Sequence, residues 1–321
     1  IFKLRPTIVV NDSATVKGEL STGSVRGGIA GEDTTGKNSY FAQSPNGSST
    51  ITLNQLYAEL YGDTAMIKVG KFAKNFGLGA VVSEGGDIWD RYFSVYNGFE
   101  LRFDLGKFSV APTFAKISSP ALDQGPQNGS QDASETGITA SYNDPTNNFE
   151  FAVYYALRNV ETENELYDTD GASGVSNTTS SDVTLIDIFF SKRWDKFKIA
   201  MEIPMLSGEV GNLYDTDEGD RDLDTNAYIL EMSYDLNERW TVGLNGGMVK
   251  GEDGQDDFTA LYLHPNYKIA ELMFAYNYAG FQGNGDIFNG SVTNANFAKL
   301  YANYESEAWR WYLGLVMAMA N

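Results

Sequence analysis

Residues 93–105 read FSVYNGFELRFDL, and this stretch decides the fold class. All odd positions except Asn97 are apolar. They are Phe93, Val95, Asn97, Phe99, Leu101, Phe103 and Leu105. The even positions between them are mostly polar or small. Neighbouring side chains of a strand point to opposite faces, whereas a helix would mix the two sets on each face. The stretch therefore predicts a β-strand with one apolar and one polar face.

The same alternation recurs along the chain in segments of about ten residues. It predicts sixteen strands, at residues 1–10, 14–22, 51–61, 65–73, 93–104, 107–117, 135–143, 147–159, 182–193, 196–206, 225–235, 239–250, 257–267, 270–281, 294–304 and 308–320. Tight turns alternate with long polar connectors, which lie near residues 23–50, 74–92, 118–134, 160–181, 207–224, 251–256 and 282–293. Short turns at one end and long loops at the other are typical of an antiparallel up-and-down β-barrel that spans a membrane. We therefore predict an all-β fold in which residues 1–321 form one transmembrane barrel domain.

The composition excludes several other classes of protein. The 321 residues include 43 acidic and 23 basic side chains, for a net charge of −20, with one histidine and no cysteine. The acidic excess argues against nucleic-acid binding, and the lack of cysteine excludes disulfides and thiolate metal sites. The single histidine, His264, has no nucleophile at its alternation neighbours Tyr262 and Asn266. We therefore predict no catalytic residues and expect no enzyme activity.

Aromatic residues cluster near the tight turns. Four of the five tryptophans lie within a few residues of one: Trp194, Trp240, Trp309 and Trp311. Aromatic rings favour the boundary between lipid and water, where the ring body is apolar and its edge is hydrated. This placement favours a membrane barrel. The alternative is that the rings are strand aromatics in the core of a soluble secreted β-protein.

The polar strand faces supply a predicted pore wall. Strands about 4.8 Å apart and tilted by about 40° would enclose a width of roughly 32 Å if sixteen of them close, which side chains cannot fill. The predicted pore-lining residues are Arg5, Lys17, Glu59, Lys68, Glu100, Arg102, Glu150, Arg158, Glu231, Lys299 and Arg310. Bases and acids are mixed along this wall, so we expect no strong ion selectivity. The alternative for any one of them is a cross-strand ion pair that stabilises the barrel.

One long connector differs from the others. Residues 74–92 read KNFGLGAVVSEGGDIWDRY, which is rich in glycine and moderately apolar. Glycine permits tight bends, so we expect this loop to fold into the barrel and narrow it. The residues predicted at the constriction are Glu84, Asp87, Trp89, Asp90 and Arg91. The alternative is a loop that packs on its neighbours at the rim.

Negative charge is concentrated in other long connectors. Residues 215–222 read DTDEGDRD, and their carboxylates are candidate ligands of a weakly held Ca²⁺ or Mg²⁺: Asp215, Asp217, Glu218, Asp220 and Asp222. The alternative is an acidic surface that is simply solvated. No other cofactor is expected. Divalent ions could also bridge these loops to anionic lipopolysaccharide.

Residues 51–105 carry a resemblance to a known family. They contain LNQLYAELYG, MIKVGKF, FGLG, a loop with a tryptophan, and YNGFELRFDL, in that order. This order resembles the "VGR" region of porin-like and alginate-export-like outer-membrane barrels of Gram-negative bacteria. Lys71 stands where that family usually has arginine.

The resemblance implies a function and a location. It implies an integral outer-membrane pore for passive diffusion of small hydrophilic solutes and ions, often as a homotrimer, with short turns in the periplasm and long acidic loops outside the cell. Barrels of this family keep both chain ends on the short-turn side, whereas the sixteen strands predicted here put both on the long-loop side. We therefore expect either eighteen strands in the intact protein or a miscount of one strand at each end. The alternative function is a structural or adhesive barrel with a blocked lumen and acidic loops that bind partners.

Overall fold

A computed structural model describes residues 2–22, 51–86, 94–117, 132–164, 177–210, 221–252, 257–264, 266–269 and 292–320. The strands are β1 (Phe2–Leu4), β2 (Thr7–Asn11), β3 (Ala14–Thr22), β4 (Ile51–Tyr61), β5 (Ala65–Ala73), β6 (Val95–Leu105), β7 (Phe108–Ile117), β8 (Asp132–Asp144), β9 (Phe149–Asn164), β10 (Asn177–Trp194), β11 (Phe197–Val210), β12 (Arg221–Asp235), β13 (Trp240–Val249), β14 (Ala295–Glu305) and β15 (Arg310–Ala320). A short 3-10 turn, Pro145–Asn147, joins β8 to β9. Among these described residues, no helix has the length and apolar character needed to cross a membrane.

All fifteen strands belong to one antiparallel sheet, and from β3 to β15 each strand pairs with the next one along the chain. Tight turns follow β2, β4, β6, β8, β10, β12 and β14, while the long connectors leave the opposite ends of the strands. The predicted all-β, up-and-down topology with alternating connector lengths is therefore confirmed. In the described part of the chain, no pairing joins the first strand to the last.

The first predicted strand is divided in two. β1 and β2 both pair with β3 and are separated by Arg5 and Pro6. Proline has no N–H to donate, so it interrupts the ladder at this edge of the sheet. The Pro6 carbonyl still accepts a hydrogen bond from the Gly18 N–H at 3.0 Å, so contact with β3 continues across the break.

The prediction of a strand at residues 257–267 is wrong. β13 pairs directly with β14, with Val249 opposite Ala295, so no described strand lies between them. The next predicted strand, residues 270–281, lies outside the described residues. The described sheet therefore passes from β13 to β14 without the two strands that the sequence predicts there.

The residues of the failed prediction form an irregular stretch that we call the inner segment, defined as 257–264 and 266–269. Both alternating sets of its side chains are buried: Phe258 is 7% exposed, Leu261 2% and Leu263 0%. A strand at the lipid boundary would expose every second side chain. The apolar residues that suggested a lipid face instead pack the segment against the sheet.

The two faces of the sheet differ as predicted. On β15 the side chains of Leu313, Leu315 and Met317 are 76%, 65% and 67% exposed. Exposed apolar residues recur across the sheet, including Leu60, Phe99, Phe103, Phe151, Leu157, Tyr228 and Leu300. A soluble monomer rarely exposes so large an apolar face, whereas the hydrocarbon of a bilayer would cover it. We call this the outer face, and the opposite one the inner face.

Contacts on the inner face show that the sheet is curved. Residues 74–86, which follow β5 and which we call the inward loop, contact Tyr154 on β9 and Glu202 on β11. At the far end of this loop, the carbonyls of Gly85 and Gly86 accept hydrogen bonds from Arg5, between β1 and β2. One connector can reach both halves of the sheet only if the sheet wraps around it. The inner face therefore curves around the inward loop.

Aromatic rings on the outer face form a ladder near the tight turns. Phe108, Tyr142, Phe149 and Phe190 contact one another in that order, with ring centroids 4.8, 5.7 and 5.6 Å apart. The four tryptophans predicted at the boundary are all exposed: Trp194, Trp240, Trp309 and Trp311. This placement matches the aromatic belt with which barrels meet the lipid–water boundary.

Candidate functional site

The inward loop turns at glycines with positive φ. Gly77, Gly79 and Gly85 have φ values of 53°, 76° and 66°, a region that residues with a Cβ rarely adopt. At Gly77 an added Cβ would lie 2.5 Å from the Glu202 Oε2. Between the glycines, apolar side chains such as Val82 are fully buried. The glycine spacing thus lets the loop fold back while its apolar side chains pack on the inner face.

Glu202 on β11 holds the apex of the inward loop. Its carboxylate accepts hydrogen bonds from the backbone N–H groups of Leu78 and Ala80, the latter at 3.1 Å. Asp187 on β10 is its diagonal neighbour on the same face, because Phe189 lies opposite Glu202 in the ladder. Both carboxyl groups are fully buried. Neither oxygen of Asp187 has a hydrogen-bond partner among the described residues.

The inner segment contacts the same apex from another side. The His264 N–H donates to the Ala80 carbonyl at 2.6 Å. The His264 ring is buried, and its Nδ1 accepts a hydrogen bond from the Asn266 N–H at 3.2 Å. Its Nε2 has no partner within the described ranges. Burial lowers the pKa of His264 to about 4, so the ring is neutral at neutral pH.

Two apolar clusters pack around the loop and the inner segment. One joins the loop to β5, β6, β9, β10 and β11 and includes Phe76, Val82, Tyr96, Tyr154 and Leu185. The other joins Ala80 and the inner segment to β12, β13 and β14 and includes Ile229, Val249, Leu263 and Phe297. The inner face is therefore apolar over part of its area, which the predicted polar wall did not include.

Charged residues of the inner face form ion pairs with residues of neighbouring strands. The pairs are Arg5–Glu19 at 2.5 Å, Lys17–Glu59 at 2.7 Å, Lys68–Glu100 at 3.6 Å and Arg158–Glu135 at 2.6 Å. The Tyr154 hydroxyl also donates to Glu135, which is buried. These are the cross-strand ion pairs that the sequence left open as the alternative for the predicted wall residues.

Two other predicted wall residues form pairs near the tight turns. Arg102 lies 2.9 Å from Asp104, and Arg310 pairs with Glu305. Both pairs are well exposed, so solvent screens them and they contribute little stability. Glu150 forms no ion pair within the described chain, and it lines a polar cavity.

The last two predicted wall residues lie on β12 and β14. Glu231 accepts hydrogen bonds from the Asn245 side-chain amide at 3.3 Å and from the Tyr267 hydroxyl at 3.0 Å. The Lys299 Nζ lies 5.2 Å from the centroid of the Tyr312 ring, within range of a cation–π contact. The carboxylate of Glu231 thus accepts a hydrogen bond from the inner segment, whereas the ammonium group of Lys299 contacts an aromatic ring.

A polar cavity of about 400 Å³ lies between the inward loop and the inner face of β5–β9. Its lining includes Lys68, Lys74, Glu84, Glu100, Arg102 and Glu150. Lys74 is buried, with its Nζ 3.0 Å from the Thr113 hydroxyl and 3.5 Å from Glu100. Glu84 also lines a second cavity of about 230 Å³ beside Arg5 and Lys17. The loop is thus bordered by two polar spaces.

Of the five residues predicted at the constriction, the structure describes Glu84 alone. It is exposed to the two cavities beside the inward loop. The other four lie outside the described residues: Asp87, Trp89, Asp90 and Arg91. Lys74 and Glu135 were not predicted from the sequence, and Glu202 was predicted only as an acidic residue of the polar lumen-facing side of its strand. Each is a charged residue beside apolar ones, a pattern that recurs on every strand and does not reveal burial.

The candidate Ca²⁺ or Mg²⁺ ligands lie mostly outside the described residues: Asp215, Asp217, Glu218 and Asp220. Asp222 is described, lies on β12 and is exposed. In the described ranges, no three acidic or histidine side chains gather in a way that could hold a metal ion. The metal site therefore stays a prediction.

No protein-family model and no curated protein matches the sequence. Solved structures with a similar fold include a loop L8 deletion mutant of OmpT, an outer membrane protein of Vibrio cholerae, with 8% identity, a TM-score of 0.46 and coverage of 98% of this chain and 86% of that one. OccK2 (OpdF) of Pseudomonas aeruginosa has 12% identity and a TM-score of 0.49, and the match covers 94% of this chain and 68% of that one. OprB of Pseudomonas putida has 12% identity and a TM-score of 0.46, and the match covers 94% of this chain and 77% of that one. The likeness to each of these structures is one of fold alone.

Proposed function

We propose that the chain is an outer-membrane pore for passive diffusion of small hydrophilic solutes and ions, narrowed by the inward loop. The observation that carries this proposal is the division of the sheet into an exposed apolar outer face and a charged inner face with polar cavities. A bilayer would cover the first, and water would hydrate the second. No chemistry is assigned to the chain, and we propose that it is not an enzyme.

The inner wall supports passage of small polar solutes without strong charge selection. Bases and acids alternate along it and pair across strands, as Lys17 does with Glu59. Such pairs cancel most of the field along the path, so neither anions nor cations are strongly excluded. Solute size would then be limited by the inward loop, with Glu84, Asp87, Trp89, Asp90 and Arg91 as the proposed constriction residues.

Conductance in planar bilayers tests the proposal. Purified protein should give discrete single-channel steps, and the zero-current potential in a salt gradient should be small because the wall is mixed in charge. A matched variant, Glu150→Gln, removes a cavity carboxylate that has no ion pair in the described chain and should shift that potential toward anions. Correctly folded protein that inserts and yields no steps would overturn the proposal.

A second candidate function is a structural or adhesive barrel whose lumen is blocked. The observation that favours it is the packing of the inward loop and inner segment into apolar clusters around Ala80, Leu263 and Phe297. Liposome swelling separates the two candidates. A pore admits a small sugar and the liposomes swell, whereas a blocked barrel does not admit it.

The orientation and partners form part of the same proposal. We place the short turns in the periplasm and the long acidic loops outside the cell, where loop-bound Ca²⁺ or Mg²⁺ would bridge them to lipopolysaccharide. We also propose a homotrimer. Protease digestion of intact cells would test the orientation, since only the long loops should be cleaved from outside.

A further inference from the structure

Asp187 and Glu202 form a pair of carboxyl groups beneath the inward loop. Both side chains are 0% exposed, and they are diagonal neighbours on the same face of the β10–β11 ladder. Within the described residues, no basic side chain forms an ion pair with either of them. Two adjacent buried carboxylates without a counter-charge cannot both be ionised at tolerable cost. The pair must therefore share one proton.

The hydrogen bonds indicate which carboxyl group holds the proton. Glu202 accepts two backbone N–H groups, from Leu78 and Ala80, and such bonds stabilise a carboxylate in its charged form. The oxygens of Asp187 have no partner among the described residues. These hydrogen bonds favour a charged Glu202, so the shared proton is assigned to Asp187, whose O–H could then donate to Glu202.

The basic groups beside Tyr154 are already paired, Lys74 with Glu100 and Arg158 with Glu135, and neither forms an ion pair with Asp187 or Glu202. Tyr154 faces Asp187 from β9, and Glu231 lies next along β12. The inner segment contributes Tyr267 and the neutral His264. Residues 75–83 of the inward loop contain no ionisable side chain. A second charge would thus need water, and the apex at residues 78–80 covers the Glu202 carboxylate.

We propose that Glu202 positions the inward loop in the barrel interior and that loss of the proton shared with Asp187 releases the loop and widens the path. In this step the Asp187 O–H bond breaks, its proton passes to solvent, and both carboxyl groups become carboxylates hydrated by entering water. This inference rests on the proposed pore, because it describes how that pore is regulated.

Thiol labelling tests the movement of the loop without relying on transport. The chain has no cysteine, so Ala80→Cys places a single thiol at the fully buried apex, and Glu307→Cys places one at an exposed position of a tight turn as a control. Each single-cysteine variant is labelled with a maleimide in liposomes at several values between about pH 6 and about pH 9. The labelling rate of the apex thiol is then divided by the labelling rate of the control thiol at the same pH. We expect this ratio to rise by about tenfold per pH unit once the pair begins to titrate.

A variant of the pair identifies the group responsible. Asp187→Asn cannot lose a proton but can still donate to Glu202, so in the Ala80→Cys background it should keep the labelling ratio low across the same pH range. A ratio that is independent of pH in the parent, or that rises equally in the Asp187→Asn variant, would overturn the inference.

Single-channel conductance is the second measurement, made without any introduced cysteine. The parent should show larger steps at alkaline pH, and Asp187→Asn should not. Glu307→Gln, at an exposed position of the β14–β15 turn, should show the same rise in step size as the parent. Glu202→Gln should give larger steps already at neutral pH, because it removes the charged acceptor of the two N–H groups. Steps of equal size in all variants at every pH would refute the regulation and leave the pore standing. Absence of steps would instead refute the pore, and the labelling ratio would still report on the loop.

Discussion

Acidification should weaken the contact between the inner segment and the inward loop. His264 lies outside the strands, is buried and neutral, and its N–H donates to the Ala80 carbonyl. Burial lowers its pKa from 6.5 to about 4, a difference worth about 3 kcal/mol. Because the packed form binds the proton less tightly than the unpacked form, its stability is full above pH 6.5 and falls as the pH drops toward 4.

The assay is direct because His264 is the only histidine in the chain. Its ring should titrate in a proton NMR experiment with a midpoint near the lowered value. Hydrogen exchange of residues 263–264, relative to the intrinsic amide rate, should accelerate as the pH falls from 6.5 toward about 4. The variant His264→Gln has no ring to protonate, so exchange in the inner segment should lose this pH dependence. A midpoint close to 6.5 would refute the reasoning, because it would place the ring in water.

Three further outcomes follow from the packing. Arg158→Ala leaves the buried carboxylate of Glu135 without its ion pair and should lower the free energy of unfolding by about 3 kcal/mol or more. Arg193→Ala removes a partly exposed ion pair and should lower it by less than about 1 kcal/mol. Urea titration in lipid vesicles measures both changes. Gly77→Ala places a Cβ against Glu202 at positive φ and should increase channel conductance, whereas Gly86→Ala, where an added Cβ has open space, should not. Leu315→Arg puts a charge on the outer face and should lower stability in vesicles by about 2–4 kcal/mol, and an unchanged stability would contradict the outward orientation.

Much of the fold was predictable because strand alternation leaves a direct trace in the sequence. In β6, Phe99 and Phe103 are exposed and Glu100 is buried, as their positions predict. Turn chemistry was equally informative, since Gly106 has the positive φ that a tight turn requires. These features depend on residues that are close along the chain, so the sequence alone reveals them.

The inner segment and the buried acids could not be predicted in the same way. Apolar residues such as Leu261 and Leu263 fit a lipid-facing strand and a packed interior equally well, and only contacts with distant strands decide between them. Glu202 looks like any other polar residue of an alternating strand. Its burial depends on the inward loop, which lies more than a hundred residues away along the chain.

The orientation of the two faces is tested most directly by single cysteines along β6 in liposomes. A membrane-impermeant, water-soluble thiol reagent should modify cysteines at Arg102 and Asp104, whose side chains line the polar cavity, and should leave those at Leu101 and Phe103 unmodified in lipid. The proposed orientation of the sheet therefore predicts that modification occurs at every second position. Equal modification at all four positions, or protection of the even positions instead, would contradict it.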